Sequence, residues 1–225
     1  MKRHTFAGAV LSAALLASVV MAVGQAQEKE ELKLKLPKPM FIGTPTNIKS
    51  ANLEPVTGKP RGPFMVPMGT KLLSLKRPVT SSDRQPVIGE LAMITDGEKE
   101  GGDGYFVELG PGKQWVQIDL GARYALQAIL AWHYHSQARV YRDVVVQASD
   151  DRDFLKNVTT IFNNDHDNSS GLGIGKDKEY IEVAEGRLFD PKGMTGRYVR
   201  LYSGGNTVND LNHYVEVEVY GTPVK

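Results

Sequence analysis

The 225-residue sequence contains no cysteine, so no disulfide can stabilise its fold. It also has no surplus of either charge, because 27 Lys and Arg residues stand against 26 Asp and Glu residues. A near-neutral chain gives no electrostatic basis for binding nucleic acid or an anionic membrane surface. Stability must therefore come from an apolar core, with a bound metal ion as a further source.

Long apolar runs are absent beyond the N-terminus. Residues 5–23 are almost wholly apolar, follow Lys2 and Arg3, and end at small residues before the chain turns polar at Gln27. This pattern is typical of a secretory signal peptide, here residues 1–26. The alternative is a retained membrane anchor, for which the run is near the lower limit of about 20 residues. We expect cleavage, no transmembrane segment afterwards, and a secreted or periplasmic protein.

Residues 27–70 differ in composition from the rest of the chain. They hold seven of the 12 prolines. Proline fixes φ and removes a backbone donor, which excludes helix interiors and central strands. We interpret this segment as an extended Pro-rich arm. Its apolar residues predict packing, either along its own domain or against a partner.

Helical periodicity is nearly absent from residues 71–222, where apolar and polar residues alternate with a period of two. The alternation places Val116, Ile118 and Leu120 on one face of a strand, and residues 126, 128, 130 and 132 on one face of another. Polar turns separate about eight such segments. The pattern predicts an all-β antiparallel sandwich.

Several of these segments, in order, resemble the discoidin or coagulation factor 5/8 type C family. They are the Thr95-Asp96-Gly97 turn and the segments WVQIDLG (115–121), ILAW (129–132), YRDVVVQASDD (141–151), GRYVRLY (196–202) and EVEVYG (216–221). The resemblance spans residues 72–221, is weaker between Phe162 and Arg197, and excludes the arm. It implies a galactose-binding-like jelly roll, related to carbohydrate-binding modules, that binds a carbohydrate or glycan-bearing surface through loops at one end and performs no catalysis.

The resemblance also implies where a sugar would bind. In sugar-binding relatives the loop that follows the strand ending at Trp132 supplies polar residues, often an arginine. Such side chains can hydrogen-bond sugar hydroxyls while an aromatic ring covers the apolar face of the sugar. The residues matching this expectation, with candidates from neighbouring loops, are His133, His135, Arg139, Tyr141, Asn206 and His213. His133 and His135 are also spaced like metal ligands, while a buried histidine and a surface arginine are the simpler interpretations.

Family members often hold a structural calcium ion near the closing strand, and the resemblance places Asp96 and Glu216 around it. Ca²⁺ takes six to eight oxygen ligands, and Glu98 offers another carboxylate. The alternative is that Asp96 only supports its own turn and that Glu216 lies on a solvated strand face.

The most polar loop is Asn163–Gly171, with His166 between two aspartates. It offers ligands for a transition metal or hydrogen bonds for a sugar, unless it is simply a loop of turn-forming residues. Two other functions stay open at this point. One is a protein–protein adaptor of the cell envelope that uses the arm, and the other is a metal-dependent enzyme built on the His and Asp loops.

Overall fold

The computed structural model describes residues 27–41 and 48–224, so the predicted signal peptide lies outside the described residues. Within these ranges the chain forms twelve strands and one 3₁₀ helix, and no helix there is long and apolar enough to cross a membrane. In chain order they are β1 (Lys29–Glu31), β2 (Met65–Pro67), β3 (Lys71–Leu72), β4 (Val79–Ser81), the 3₁₀ helix (Leu91–Thr95), β5 (Val107–Leu109), β6 (Gln114–Trp132), β7 (Val145–Ser149), β8 (Thr159–Asn163), β9 (Arg187–Phe189), β10 (Thr195–Ser203), β11 (Asn212–Tyr214) and β12 (Glu216–Pro223).

The 19-residue strand β6 belongs to both layers of the sandwich. Its first half pairs antiparallel with β4 and β10, and β10 continues the layer to β7 and β8. Its second half pairs antiparallel with β9 and β12, and β12 continues to β3. The strand turns at Gly121, whose φ of +83° suits glycine. The predicted all-β antiparallel sandwich is confirmed.

Apolar side chains from both layers form one core. The predicted inward face of Val116, Ile118 and Leu120 is fully buried there. It meets alternate residues of the strands in both layers, including Val146, Ala148, Val199, Leu201, Val217 and Val219. Burial of this continuous interior is the main source of stability in a chain without disulfides.

The predicted facing of the second half of β6 is wrong in part. Leu126 points into the core, whereas Ala128, Leu130 and Trp132 lie on the outer face of the same layer. The cause is a register shift, since Tyr220 pairs with Ala128 while the next residue, Gly221, pairs with Leu126. The extra residue reverses the alternation from that point on, as β-bulges do.

The arm covers this outer face. Its residues Leu32, Leu34 and Phe64 pack against the cluster that contains Leu130 and Trp132. Strands β1 and β2 pair with each other, and Glu54 N donates to the Glu179 carbonyl at 2.9 Å. The described parts of the arm therefore lie along their own domain.

Candidate functional site

A buried polar network lies at the end of the sandwich where β6 ends. Glu108 Oε2 is 3.0 Å from His213 Nε2, and His213 Nδ1 is 2.9 Å from the Tyr141 hydroxyl. The Tyr141 ring stacks on His133, with ring centroids 4.4 Å apart. His133 Nδ1 in turn lies 2.7 Å from Glu182 Oε1. The network thus joins β5, β11, the end of β6 and the segment before β9.

The electrostatics of the network fix where its protons reside. Burial, together with the charges of Arg139 and His133, lowers the pKa of His213 to about 4, so its ring is neutral at pH 7. Burial raises the pKa of Tyr141 well above its usual value. Tyr141 therefore donates to His213 Nδ1, and His213 donates from Nε2 to Glu108. Burial also raises the pKa of Glu108, and the Arg139 charge opposes that rise.

Arg139 links the polar network to Tyr134, which is nearer the surface. Its guanidinium lies 4.4 Å from the centroid of the Tyr134 ring, and that ring meets Phe106 edge-on at 5.1 Å. Arg139 is only 5% exposed, and its Nε has no hydrogen-bond partner in residues 27–41 and 48–224. Tyr134 is half-buried and presents the accessible part of this group.

The structure brings together four of the residues predicted to contact sugar, namely His133, Arg139, Tyr141 and His213. All four are buried. Their rings and charges therefore act mainly by holding the loop and the half-exposed Tyr134 in place, and their role in ligand contact stays a prediction.

The other three predicted residues lie apart from the polar network or are engaged elsewhere. Asn206 donates to Asn209 Oδ1 and to the Leu211 carbonyl within its own turn. His135 Nε2 lies 2.9 Å from the Lys99 carbonyl, so His135 and His133 do not share a partner. His166 is half-buried, and its charge acts on Glu179 rather than on the network.

The residues predicted to hold calcium are placed unequally. Glu216 is fully buried; its Oε2 accepts from Gly97 N at 3.2 Å, and its Oε1 has no partner in the part of the chain that is described. Burial and the nearby carboxylates of Glu218 and Asp96 raise the pKa of Glu216 to about 9. A buried carboxylate oxygen without a partner, beside a second carboxylate, fits a hard cation.

Glu98 fits the same ion less well. Its Oε1 accepts from the backbone amides of Lys99 and Glu100, and the side chain is exposed. Glu218 is already engaged, since Lys99 Nζ lies 2.5 Å from one oxygen and the Tyr220 hydroxyl donates to the other at 2.8 Å. Asp96 is also exposed and supports its own turn, since its Oδ1 accepts from Glu98 N at 2.8 Å. Glu216 is therefore the side chain of this group that would chiefly hold calcium, with the second oxygen of Asp96, and the ion would supply charge neutralisation and a fixed loop.

A second acidic group lies elsewhere, where ligand atoms of Asp143, Asp165 and Asp167 lie within 4.8 Å of one another. Asp165 is held by Ser169 and Ser170, and Asp143 has a positive φ of 52°. The polar loop around His166 was predicted as a candidate, but Asp143 was not, because it lies in the bend before β7 and meets the other two aspartates only in the folded chain.

Sequence reasoning also missed Glu108, Tyr134 and Glu182. Glu108 and Glu182 are isolated acidic residues whose partners are distant in sequence, so nothing local marks them. Tyr134 lies within the predicted loop, but a single tyrosine between two histidines forms no motif. Only strand pairing brings these residues to the same end of the fold.

No family model matches the chain, and no curated protein matches it. Solved structures are similar at low identity. A truncated AlyQ with CBM32 and alginate lyase domains is 17% identical with a TM-score of 0.50, covering 69% of this chain and 34% of that one. The CBM32 of AlyQ in complex with 4,5-unsaturated mannuronic acid is 18% identical, with a TM-score of 0.48 and coverage of 66% and 97%.

A family 89 glycoside hydrolase from Clostridium perfringens is also similar, at 18% identity and a TM-score of 0.49. The match covers 68% of this chain and 15% of the hydrolase. The strand pairing and the similarity at a TM-score of 0.50 agree on the architecture. The chain has an antiparallel β-sandwich fold.

Proposed function

We propose that this protein is an exported, non-catalytic module that binds carbohydrate at the loop around Arg139 and Tyr134. The observation that carries the proposal is the Tyr134 ring, which stays partly accessible while the buried guanidinium of Arg139 holds it at 4.4 Å. An aromatic ring held in a fixed position suits the apolar face of a sugar ring. The similar AlyQ chain contains a CBM32 domain, which supports the same proposal.

The absence of catalysis is part of this proposal. In the network, Glu108 and Glu182 each accept a hydrogen bond from a histidine, and His213 is neutral at pH 7 with a pKa of about 4. Such groups position one another, whereas a general acid or base needs a pKa near the working pH and access to substrate. We assign the network to holding the loop in shape.

Calcium at Glu216 and Asp96 is proposed as a structural ion, and secretion or a periplasmic location follows from the predicted signal peptide. The adaptor alternative receives less support. Three apolar arm residues, Leu32, Leu34 and Phe64, pack on the sandwich itself, whereas Met40, Met65 and Met68 are exposed.

A glycan array probed with the mature protein tests the proposal. We expect binding to a defined set of glycans, and Tyr134→Ala to weaken it about tenfold, which corresponds to about 1.4 kcal/mol. Tyr124→Ala is the matched control, because Tyr124 is also half-buried but lies near the bend of β6, at the other end of that strand half. Failure of the wild-type protein to bind any glycan rejects the proposal.

A further inference from the structure

A cleft of about 540 Å³ lies where β3, the bend of β6 and the end of β12 meet, lined by residues 71–73, 75–77, 124, 221 and 223. Its volume is within the range of ~300–1,000 Å³ found for sites that take small ligands. Strand β12 pairs Glu216 with Trp132 at one end and Pro223 with Tyr124 at the other. Trp132 leads into the loop of the proposed sugar site, and the strand from there to Tyr124 spans roughly 25 Å. The cleft is therefore separate from that site.

The cleft carries an excess of positive charge. Lys71, Lys76 and Arg77 all line it. Among the described residues no Asp or Glu lines it, and none of the three cations pairs with a carboxylate. The whole chain is nearly neutral, with 27 Lys and Arg against 26 Asp and Glu residues, so this excess is local. Cations without a partner repel one another, and an anion bound among them relieves that repulsion.

The three cations can be reached from solvent. Lys71 and Lys76 are exposed, and Arg77 is half-buried. Arg77 Nε donates to the Leu73 carbonyl at 3.2 Å, which fixes the guanidinium at the wall of the cleft. Its other donors and both lysine ammonium groups form no hydrogen bond within residues 27–41 and 48–224. They are therefore free to bind a ligand.

Two carboxylates outside the lining are already engaged. Hydrogen bonds from Arg197 lower the pKa of Asp119, and the charge of Arg77 adds to that effect. Both oxygens of Asp119 lie 2.8 Å from Arg197 nitrogens. Asp96 follows Thr95, whose carbonyl accepts from Lys76 N, and Asp96 Oδ1 accepts from the backbone of its own turn. These carboxylates reduce the positive potential of the cleft and leave its three cations unpaired.

The backbone at Lys76 has an unusual conformation for a lysine. Its φ is 57°, in the left-handed region that favours glycine and asparagine. Hydrogen bonds fix the turn, since Lys76 N donates to the Thr95 carbonyl at 2.6 Å and Arg77 N to the Ser74 carbonyl at 2.9 Å. A strained position that glycine would fill at lower cost, but that holds a lysine, indicates a use for the side chain.

The apolar residues of the cleft form its floor and part of its rim. Leu73 and Tyr124 pack against the core, so they support the cleft, and we assign them no part in recognising charge. Leu75 is 45% exposed at the rim. Such a side chain beside cations suits a sugar that carries an anionic group on one side and C–H groups on its face.

We propose that this cleft binds a segment of an acidic glycan through its sulfate or carboxylate groups. The charge match is a property of the cleft itself, whereas the choice of a glycan as the carrier of the anions rests on the proposed function. Ion pairs at exposed positions are individually weak and are screened by salt. Three cations in one cleft therefore bind a chain with several charges better than they bind a single small ion.

Dextran sulfate and dextran are matched probes, because both are glucans and only the first carries anionic groups. Short oligomers of each are titrated into the ¹⁵N-labelled mature protein and followed by NMR. We expect dextran sulfate to shift amides of residues 71–77 and 220–222, and dextran to leave them unchanged. Because the contact is electrostatic, raising NaCl from about 50 to about 200 mM should weaken binding ~10-fold.

The possible outcomes separate the cleft from the proposed function. Dextran sulfate that shifts no amide in these ranges, or only amides of residues 133–139, overturns the cleft and leaves the proposed function intact. Sodium sulfate that shifts the same amides as strongly at equal sulfate concentration overturns the glycan part, as does tighter binding of phosphatidylglycerol vesicles through these residues. Cleft shifts in a protein whose array binding is unaffected by Tyr134→Ala support the cleft and reject the site at Tyr134.

Lys76→Gly is the decisive variant, since glycine adopts a φ of 57° without strain and preserves the turn. Its matched control is Lys192→Gly, because Lys192 is also exposed, has a φ of 53° and lies outside the cleft. Each variant loses one positive charge at a left-handed position. We expect dextran sulfate to bind ~2–5-fold more weakly to Lys76→Gly and normally to Lys192→Gly. Equal affinities of the two variants contradict the cleft.

Lys71→Gln, added to Lys76→Gly, covers the case in which one charge contributes little on its own. Lys71 is an exposed residue at the start of the two-residue strand β3, so we expect the fold and Tm to be unchanged. The double variant should bind dextran sulfate at least ~5-fold more weakly than the wild type and depend less on salt. Wild-type affinity in the double variant overturns the proposal.

Discussion

Among the predicted calcium ligands, Glu216 has the environment that best suits a cation. With Oε1 unpartnered among the described residues and its pKa raised to about 9, it is mostly protonated at pH 7 without metal. Ca²⁺ at 100 times its Kd stabilises the folded state by about 2.7 kcal/mol, which raises Tm by roughly 5–10 °C for a domain of this size. We expect such a rise in calcium, measured by differential scanning fluorimetry, and its loss after chelation.

The matched variants for calcium are Glu216→Gln and Glu98→Gln. The first resembles the protonated side chain, so the metal-free protein should keep its Tm at pH 7 and lose the response to calcium. The second changes an exposed side chain that accepts bonds from its own loop, and most of the response should remain. A full calcium response in Glu216→Gln would show that the ion binds elsewhere.

Single residues show how far the candidate site could be predicted. His133, Tyr141 and His213 were predicted because the resemblance marks strand ends and loops as binding positions, and they do converge. A buried histidine at position 133 was one of the interpretations that the sequence left open, and only the fold decides between them, because the Glu182 carboxylate that pairs with His133 comes from the segment where the resemblance is weak. Glu182 was missed for the same reason, since its histidine partner is 49 residues away.

At the level of elements, the arm is held to the sandwich by specific bonds as well as apolar contacts. Arg61 donates to the carbonyls of Gly186 and Glu185 at 3.0 and 2.8 Å. Loss of such charged donors costs about 1 kcal/mol at a half-buried position. We expect Arg61→Ala to lower Tm and to speed proteolytic cleavage of the arm, measured by limited chymotrypsin digestion. Lys59→Ala, at an exposed neighbour, should do neither.

Strand β6 shows why the fold was easier to predict than which of its side chains point into the core. Alternation identified the strand, and its first half faces the core as predicted. One extra residue near Gln127 exchanges the inner and outer faces of β6 from that point on, and no local sequence pattern predicts such a bulge. The apolar outer face that results explains why a Pro-rich segment unable to form central strands still has a defined place.

For the whole molecule, two buried groups should change the free energy of unfolding with pH in opposite directions when no metal is present. Folding lowers the pKa of His213 from 6.5 to about 4, so between these pH values the unfolded chain binds more protons than the folded protein. The contribution of His213 to the free energy of unfolding is therefore lost as the pH falls. Folding raises the pKa of Glu216 from 4.5 to about 9, so between these pH values the folded protein binds more protons than the unfolded chain. The contribution of Glu216 to the free energy of unfolding is therefore lost as the pH rises. Each changes the unfolding free energy by at most about 1.4 kcal/mol per pH unit.

The two effects oppose each other between pH 4.5 and 6.5, and only that of Glu216 remains above pH 6.5. Urea denaturation in chelator should therefore show a broad maximum near pH 5–6.5 and declining stability towards pH 9. Glu216→Gln should remove the alkaline decline, because the variant has no proton to lose, and leave the acidic limb of His213 in place. Calcium should flatten the same alkaline limb in the wild type, since it replaces the proton as the partner of Glu216. An alkaline limb that is steep in both wild type and Glu216→Gln would mean that another buried group dominates the pH response.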